Sequence, residues 1–262
     1  MKRRDFMAAA GTAGLASVAT SIAPARGEAS TSDGKEYFEL RRYRIESDAQ
    51  QQQVTKFYGD VAIPAFNRAG IKPVGVFSPT EDDSKDLFVL LPHSCPVTLI
   101  TARHALSADE AYLKAGESFL NAPPEEPGFA RIESSLLRAF DKMPKMELPT
   151  KAETRIFQLR IYESHSPDAA RRKIDMFNAG GEIALFHHVG LTPVFFGEAL
   201  IGTKLPNLTY MLGFDNREAG EAAWKKFLAD PEWTKLKAVE EYKKTVSNIT
   251  NIYLKPAACS QI

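Results

Sequence analysis

An arginine and a tyrosine, two positions apart, occur in two nearly identical segments of the chain. Residues 38–43 read Phe-Glu-Leu-Arg-Arg-Tyr, and residues 157–162 read Phe-Gln-Leu-Arg-Ile-Tyr. A guanidinium can hold a carboxylate or phosphate through two parallel hydrogen bonds, and a phenol can orient a ligand or act as a general acid. The candidate ligand-binding residues are Glu39, Arg41, Gln158 and Arg160, and the candidate catalytic residues are Tyr43 and Tyr162.

A structural role for the same residues is the alternative. Glu39 and Gln158 stand two positions before the arginines, on the same face of a strand. If they pair with the arginines, each group forms a buried polar network that fixes how the sheets pack. The sequence leaves both roles open.

His187 and His188 are the other candidates for chemistry. Neighbouring residues of a helix point about 100° apart, so these two do not readily ligate one metal ion. The apolar stripe that contains Ile174 and Phe177 continues to His188, which we expect to lean toward the core and keep as a distant candidate base. The alternative is that both histidines interact with the dipole at the end of their helix.

Strand alternation assigns the paired residues to faces. Phe38 and Leu40 fall on one face of the first strand, and Phe157 and Leu159 fall on the equivalent face of its counterpart. We expect this apolar face to pack against helices. The opposite face, which carries the arginines and tyrosines, then points into the interior between two sheets.

The repeat extends far beyond these strands. Residues 54–77 align without a gap to residues 174–197, and the repeat length of about 120 residues is that of a small domain. Each copy reads β-α-β-β-α-β, the ferredoxin-like unit. We predict an α+β fold in which two tandem ferredoxin-like units form an α/β-barrel-like arrangement with all helices outside. One chain closing its own barrel and two chains sharing one both remain open.

The predicted organisation has six parts. They are a signal peptide at 1–25, a flexible arm at 26–35, a first domain at 36–141, a linker at 142–153, a second domain at 154–256 and a tail at 257–262. Arg3 and Arg4 precede a weakly apolar run, and the segment 23–25 offers small residues for cleavage. This pattern predicts export by the twin-arginine route to the periplasm or the exterior, without a stable membrane span after cleavage.

Composition excludes some partners. The formal net charge of +0 lacks the basic surplus that a nucleic-acid groove needs. Two cysteines, Cys95 and Cys259, do not make a disulfide framework, although they could pair in an oxidising compartment. Because no Cys/His cluster has zinc spacing, we predict no metal site and no cofactor. The export route and five histidines suggest a haem or metal carrier as a third hypothesis.

The repeated segments resemble the NIPSNAP family. The segments that carry the resemblance are 38–43, 64–71, 73–77 and 227–233. It covers nearly the whole chain beyond the signal in two copies, although the first copy lacks the tryptophan of the last motif. The resemblance implies the dimeric α/β-barrel superfamily, which includes cofactor-free monooxygenases, haem-handling enzymes and dehydratases, and it implies a homo-oligomer.

Two functional hypotheses follow. In the first, a barrel-interior pocket binds a small, partly aromatic or anionic molecule, with cofactor-free monooxygenase- or isomerase-like chemistry. Arg41 or Arg160 would then hold an enolate or carboxylate. In the second, the protein is a non-catalytic binding module of the cell envelope with a filled interior. A cavity with converging polar groups favours the first hypothesis, and fully paired arginines favour the second.

Overall fold

Eight strands, four from each repeat, close into a single barrel. A computed structural model of the chain describes residues 34–81 and 83–262, so the predicted signal peptide and most of the predicted arm lie outside the described residues. The strands are β1 (Tyr37–Arg44), β2 (Gly75–Pro79), β3 (Leu87–His93), β4 (Arg131–Ala139), β5 (Ile156–Glu163), β6 (Pro193–Ile201), β7 (Asn207–Phe214) and β8 (Asn248–Pro256). Their order around the barrel is β1-β3-β2-β8-β5-β7-β6-β4.

The two repeats join edge to edge. Each contributes a four-stranded antiparallel sheet, β4-β1-β3-β2 or β8-β5-β7-β6. The edge strand β2 pairs with β8, and β4 pairs with β6, so every sheet edge is used. One chain therefore closes its own barrel, and the predicted tandem ferredoxin-like architecture is confirmed.

The helices lie outside the barrel. They are α1 (Asp48–Phe57), α2 (Ile63–Arg68), α3 (Pro96–Ala108), α4 (Glu110–Ala115), α5 (Glu117–Leu120), α6 (Pro167–Phe177), α7 (Glu182–Val189), α8 (Arg217–Ala229) and α9 (Pro231–Leu236). A π-helical turn at Tyr58–Ala62 joins α1 to α2, and a 3₁₀ turn at Glu240–Tyr242 precedes β8. None of the helices in the described part of the chain has the length and apolar character needed to cross a bilayer.

A break between α6 and α7 departs from the predicted single helix. The sequence predicts a helix continuing to His188, but α6 ends at Phe177 and α7 begins at Glu182. Gly181 has φ +90°, a left-handed conformation that glycine adopts without steric cost. The π-helical turn of the first repeat occupies the equivalent positions, so both copies are irregular at the same place.

Apolar side chains fill the barrel interior. Phe38 and Leu40 of β1 meet Phe157 and Leu159 of β5 there. They pack with Phe77, Phe88, Leu90, Leu137, Phe195, Met211 and Leu254 from the other strands. An eight-stranded barrel is just wide enough for its side chains to fill. The prediction of a pocket inside the barrel was therefore wrong.

The predicted assignment of strand faces was also wrong. Arg41 lies 5.5 Å from the ring centre of Phe66 in α2, and Tyr43 packs with residues of α1, so both side chains face the helices. Gln158 likewise meets Trp224 of α8. Alternation separates two faces but does not say which is inside. Here the more apolar face of each strand packs in the narrow interior, with Arg42 at the end of β1 as a charged exception, while the space under the helices accommodates Arg41 and Arg160.

The chain end packs against the barrel. Ala257 and Gln261 donate backbone hydrogen bonds to Val76 and Val74, and Ile262 is buried in the interior cluster. The predicted tail at 257–262 is thus ordered. Cys95 and Cys259, whose pairing the sequence left open, are both free thiols.

Candidate functional site

Two adjoining cavities lie outside the barrel, against the strands and helices of the second repeat. We call the one of about 540 Å³ the inner cavity and the one of about 740 Å³ the outer cavity. Arg160, Trp224 and Leu228 line both. The inner cavity is also lined by Tyr162, Lys173, Met176, Glu182, Phe227, Trp233, Lys237, Tyr242, Lys243, Lys244, Thr245, Val246 and Ile249. The outer cavity is also lined by Gln158, Arg217, Glu221, Lys225, Ala229, Asn251 and Tyr253.

Arg160 stands where the two cavities meet. Its guanidinium carbon lies 4.7 Å from the ring centre of Trp224 and 5.4 Å from that of Tyr162, which places it between two aromatic side chains. Its Nε is buried and has no hydrogen-bond partner among the described residues. Because a buried donor without a partner costs free energy, this group is available to a ligand.

Gln158 does not supply that partner. Trp224 Nε1 donates a 2.6 Å hydrogen bond to Gln158 Oε1, and Gln158 Nε2 donates a 2.8 Å bond to Asn251 Oδ1. The amide is thus committed to holding α8 and β8 in place. Burial opposes the charge of Arg160, but the pKa of the guanidinium is raised overall, and an arginine stays protonated in proteins.

A pair of phenols lies beside this guanidinium. The hydroxyl of Tyr210 donates a 3.0 Å hydrogen bond to the hydroxyl of Tyr162. Tyr210 is wholly buried, and burial, followed by the Tyr162 phenol, raises its pKa well above the ordinary value. The phenol of Tyr210 therefore stays protonated at neutral pH and keeps its hydrogen bond to Tyr162.

A buried ion pair forms another wall of the inner cavity. Lys173 Nζ, on α6, lies 2.7 Å from Glu182 Oε2 at the start of α7, with the two side chains 6% and 3% exposed. The ammonium lies 4.4 Å from the ring centre of Phe177. Burial raises the pKa of Glu182, although Lys173 and Arg160 oppose that change.

In the first repeat, the arginine equivalent to Arg160 is paired with a carboxylate of the protein itself. Arg41 donates two 2.7 Å hydrogen bonds to Glu39, through Nε to Oε1 and through Nη2 to Oε2. Ser134 Oγ adds a 2.9 Å bond to the same carboxylate, and the hydroxyls of Tyr43 and Tyr58 lie 2.8 Å apart. This arrangement matches the buried polar network that is the structural alternative for these residues.

Glu39 is ionised throughout the ordinary pH range. Burial alone raises its pKa, but the adjacent His93, Arg41 and Ser134 outweigh burial and lower it to about 2. His93 Nε2 lies 3.8 Å from Glu39 Oε2, which is too long for a hydrogen bond.

The replacement of Glu39 by Gln158 at the equivalent position therefore separates the two repeats. It removes the carboxylate that would neutralise Arg160, and the glutamine turns to Trp224 instead. The buried pair Lys173–Glu182 is likewise confined to the second repeat, because Gln53 and Ala62 occupy the aligned positions of the first.

The match to a protein family covers the same half of the chain that contains the two cavities. Residues 157–261 match the protein-family model NIPSNAP. The second repeat is a NIPSNAP domain. Every residue that lines the two cavities lies within this NIPSNAP domain. A search among curated proteins found no match.

Solved structures share the barrel of which the NIPSNAP domain forms half. A monooxygenase-like protein from Fusobacterium nucleatum has 7% identity and a TM-score of 0.59, covering 86% of this chain and 93% of that one. Another from Lactobacillus acidophilus has 9% identity and a TM-score of 0.54, covering 85% and 94%. A NIPSNAP-like domain protein from Burkholderia xenovorans has 24% identity and a TM-score of 0.36, covering 40% and 87%. The first two similarities establish the fold.

His188 lies away from the two cavities of the NIPSNAP domain. It is exposed at the end of α7 and lines a separate surface cavity with Glu232 and Lys235. The expectation that it leans toward the core was wrong, because the break before α7 shifts the helical phase. His187 and His188 occupy the last turn of α7, where a cation is favoured by the helix dipole.

Three contributors to the site were not predicted from the sequence. Lys173 stands one helical turn from the buried Ala169 and Phe177, a position on the apolar face of α6 that could have revealed it. Glu182 was hidden because the helix break was not foreseen. Tyr210 was not singled out, because the sequence leaves it equally compatible with an apolar pocket and with ordinary core. The described residues contain no group of three or more His, Cys, Asp and Glu side chains placed to hold a metal ion.

Proposed function

We propose that the NIPSNAP domain binds a small anionic molecule with a planar apolar part in the cleft around Arg160. The observation that carries the proposal is the buried, unpartnered Nε of Arg160 at the junction of two cavities. Its counterpart Arg41 is held by both carboxylate oxygens of Glu39. A carboxylate or phosphate from solution would supply the anionic partner of Arg160 that Gln158 does not provide.

The lining fits such a molecule. Trp224, Phe227 and Trp233 supply flat apolar surface to the inner cavity, and both volumes lie in the range of about 300–1,000 Å³ typical of small-molecule sites. Five cationic side chains and one carboxylate line the inner cavity, so its field attracts anions. The cations are Arg160, Lys173, Lys237, Lys243 and Lys244.

Turnover of the bound molecule is a second candidate function, favoured by the phenol pair. Tyr162 would donate a proton to a ligand whose enolate or carboxylate is held by Arg160, and Tyr210 would hydrogen-bond to Tyr162. Isomerase- or cofactor-free monooxygenase-like chemistry suits this arrangement, and monooxygenase-like proteins share the fold. A non-catalytic binding module would use the same cleft without proton transfer.

The chain contains a built-in reporter for the binding proposal. Its two tryptophans, Trp224 and Trp233, both line the inner cavity. We expect 1-naphthoate to change tryptophan fluorescence, and the uncharged 1-naphthalenemethanol to bind more weakly. Arg160→Gln should weaken naphthoate binding roughly 10- to 100-fold, because a hydrogen bond to a charged group contributes about 1.5–3 kcal/mol. Isothermal titration calorimetry provides the affinities.

Arg171→Gln is the matched control, because Arg171 is an exposed arginine on α6 that pairs with Asp168. Its affinity for naphthoate should equal that of the unaltered protein. Equal affinities for the carboxylate and the alcohol, or an Arg160→Gln protein that binds naphthoate normally, would refute the proposal.

Export by the twin-arginine route and assembly into a homo-oligomer remain predictions. The closed barrel needs no second chain, so an assembly would use surfaces outside it. Exposed apolar side chains on α3, Val97 and Ile100, are compatible with such a contact.

A further inference from the structure

We propose that Lys173 forms a Schiff base with an aldehyde or ketone group on the anionic molecule that the cleft binds. This inference rests on the proposed function and names a chemical class for the ligand, an aromatic oxo acid. It assigns a nucleophile to a site for which the residue pattern indicated only an acid and an anion-binding group.

The position of Lys173 is the first reason. Its side chain lines the inner cavity although it is only 6% exposed, so a molecule in the cavity lies against it. Three aromatic rings surround it, with centres 4.4 Å away for Phe177, 5.7 Å for Tyr162 and 6.0 Å for Trp233. These rings and the Glu182 carboxylate hold the amine in place at the cavity wall, and a positioned lysine amine that gives up its proton is a nucleophile.

The absence of the ion pair from the sister repeat is the second reason. Gln53 and Ala62 stand at the aligned positions of the first repeat, which builds the same β-α-β-β-α-β unit without a charge pair at these two positions. The fold therefore does not require Lys173 and Glu182. Burying an ion pair costs desolvation free energy. Because the first repeat folds without this pair, we take its presence beside the cavity as a sign of chemistry there.

Distances allow one ligand to reach both cationic groups. The guanidinium carbon of Arg160 and the amine of Lys173 lie 5.4 and 5.7 Å from the ring centre of Tyr162, which limits their separation to about 11 Å. A benzene ring with a carboxylate at one end and an aldehyde at the other fits within that span. The carboxylate would meet Arg160 and the carbonyl carbon would meet Lys173.

The proton balance runs through Glu182. Its carboxylate, 2.7 Å from the ammonium, takes a proton from Lys173, and the burial that raises the pKa of Glu182 makes that transfer easier. The free amine attacks the carbonyl carbon, and one proton moves from the attacking nitrogen to the carbonyl oxygen to give a neutral carbinolamine. Glu182 then returns its proton to the departing hydroxyl, which leaves as water. The C=O bond is replaced by a C=N bond whose nitrogen keeps one proton, and no redox partner is needed.

Reductive trapping tests the proposal. The purified protein is incubated with 4-carboxybenzaldehyde and sodium cyanoborohydride, and the modified lysines are identified by peptide mass spectrometry. We expect Lys173 to be labelled roughly 10-fold or more faster than the exposed Lys235, as positioning beside a bound reactant predicts. Benzaldehyde, which lacks the carboxylate, should lose this preference, and so should the Arg160→Gln protein.

A second measurement separates failure of this inference from failure of the binding proposal. Tryptophan fluorescence reports reversible binding of 4-carboxybenzaldehyde without the reductant. Normal binding with labels only on exposed lysines would overturn the Schiff-base inference and leave the anion site standing, while absence of binding would overturn both.

Discussion

Replacing Lys173 with methionine is expected to lower the free energy of unfolding by about 3–5 kcal/mol. The substitution leaves Glu182, whose side chain is 3% exposed, as a buried carboxylate without its partner, and breaking a buried pair in this way carries a cost of that size. Urea denaturation at neutral pH measures the change, since the midpoint falls while the slope stays constant.

The double variant Lys173→Met/Glu182→Leu tests the physical reason. Removing both charges and keeping similar volume should restore most of the lost stability, because desolvation of a buried pair offsets much of its attraction. Lys235→Met is the control, as Lys235 forms a pair of equal length, 2.7 Å, with Glu232 on the surface and should cost about 0–1 kcal/mol. A Lys173→Met protein as stable as the control would show that the pair is hydrated rather than buried.

Lowering the pH should reduce the free energy of unfolding, because Glu39 becomes protonated. The pKa of this carboxyl is lowered to about 2 in the folded protein, against 4.5 for the free side chain. A group with a depressed folded pKa stabilises the protein fully above the unfolded pKa, and the contribution is lost as pH falls from about 4.5 to about 2. We expect a loss of about 3–4 kcal/mol from this group, since one pKa unit corresponds to about 1.4 kcal/mol.

Comparison with Glu39→Gln isolates that contribution. The variant should be less stable than the parent protein at pH 7, because Arg41 loses its bidentate partner. The difference in unfolding free energy between the two proteins should then shrink as pH falls below about 4.5, as the parent loses the same charge. A difference independent of pH between 5 and 2.5 would contradict the assigned role of Glu39.

Much of the fold is predictable because the sequence repeats and alternates. The strands Tyr37–Arg44 and Ile156–Glu163 contain the two repeated segments 38–43 and 157–162, whose alternation predicts strands. Closure follows from the need to cover the helix-free face of each sheet. The orientation of those strands is harder, because both faces of several strands are buried. All residues of β3, Leu87–His93, are buried, so no solvent-facing side distinguishes inside from outside.

The candidate site was only half predictable. Arg160 and Tyr162 were found because they recur, but the same recurrence assigned equal roles to Arg41 and Tyr43. The difference between the repeats depends on a single change from Glu39 to Gln158 and on where each side chain turns, which requires coordinates. Lys173 and Glu182 meet across a helix break, and spacing along the chain does not bring them together.

A crystal structure of the protein with 1-naphthoate tests the central claim most directly. We predict the carboxylate at about 2.7–2.9 Å from Arg160 Nε, the distance of a charge-assisted hydrogen bond, with the naphthalene ring against Trp224 or Trp233. Arg41 should remain bound to Glu39. Naphthoate at another site, or Arg160 paired with a carboxylate of the protein itself, would contradict the account.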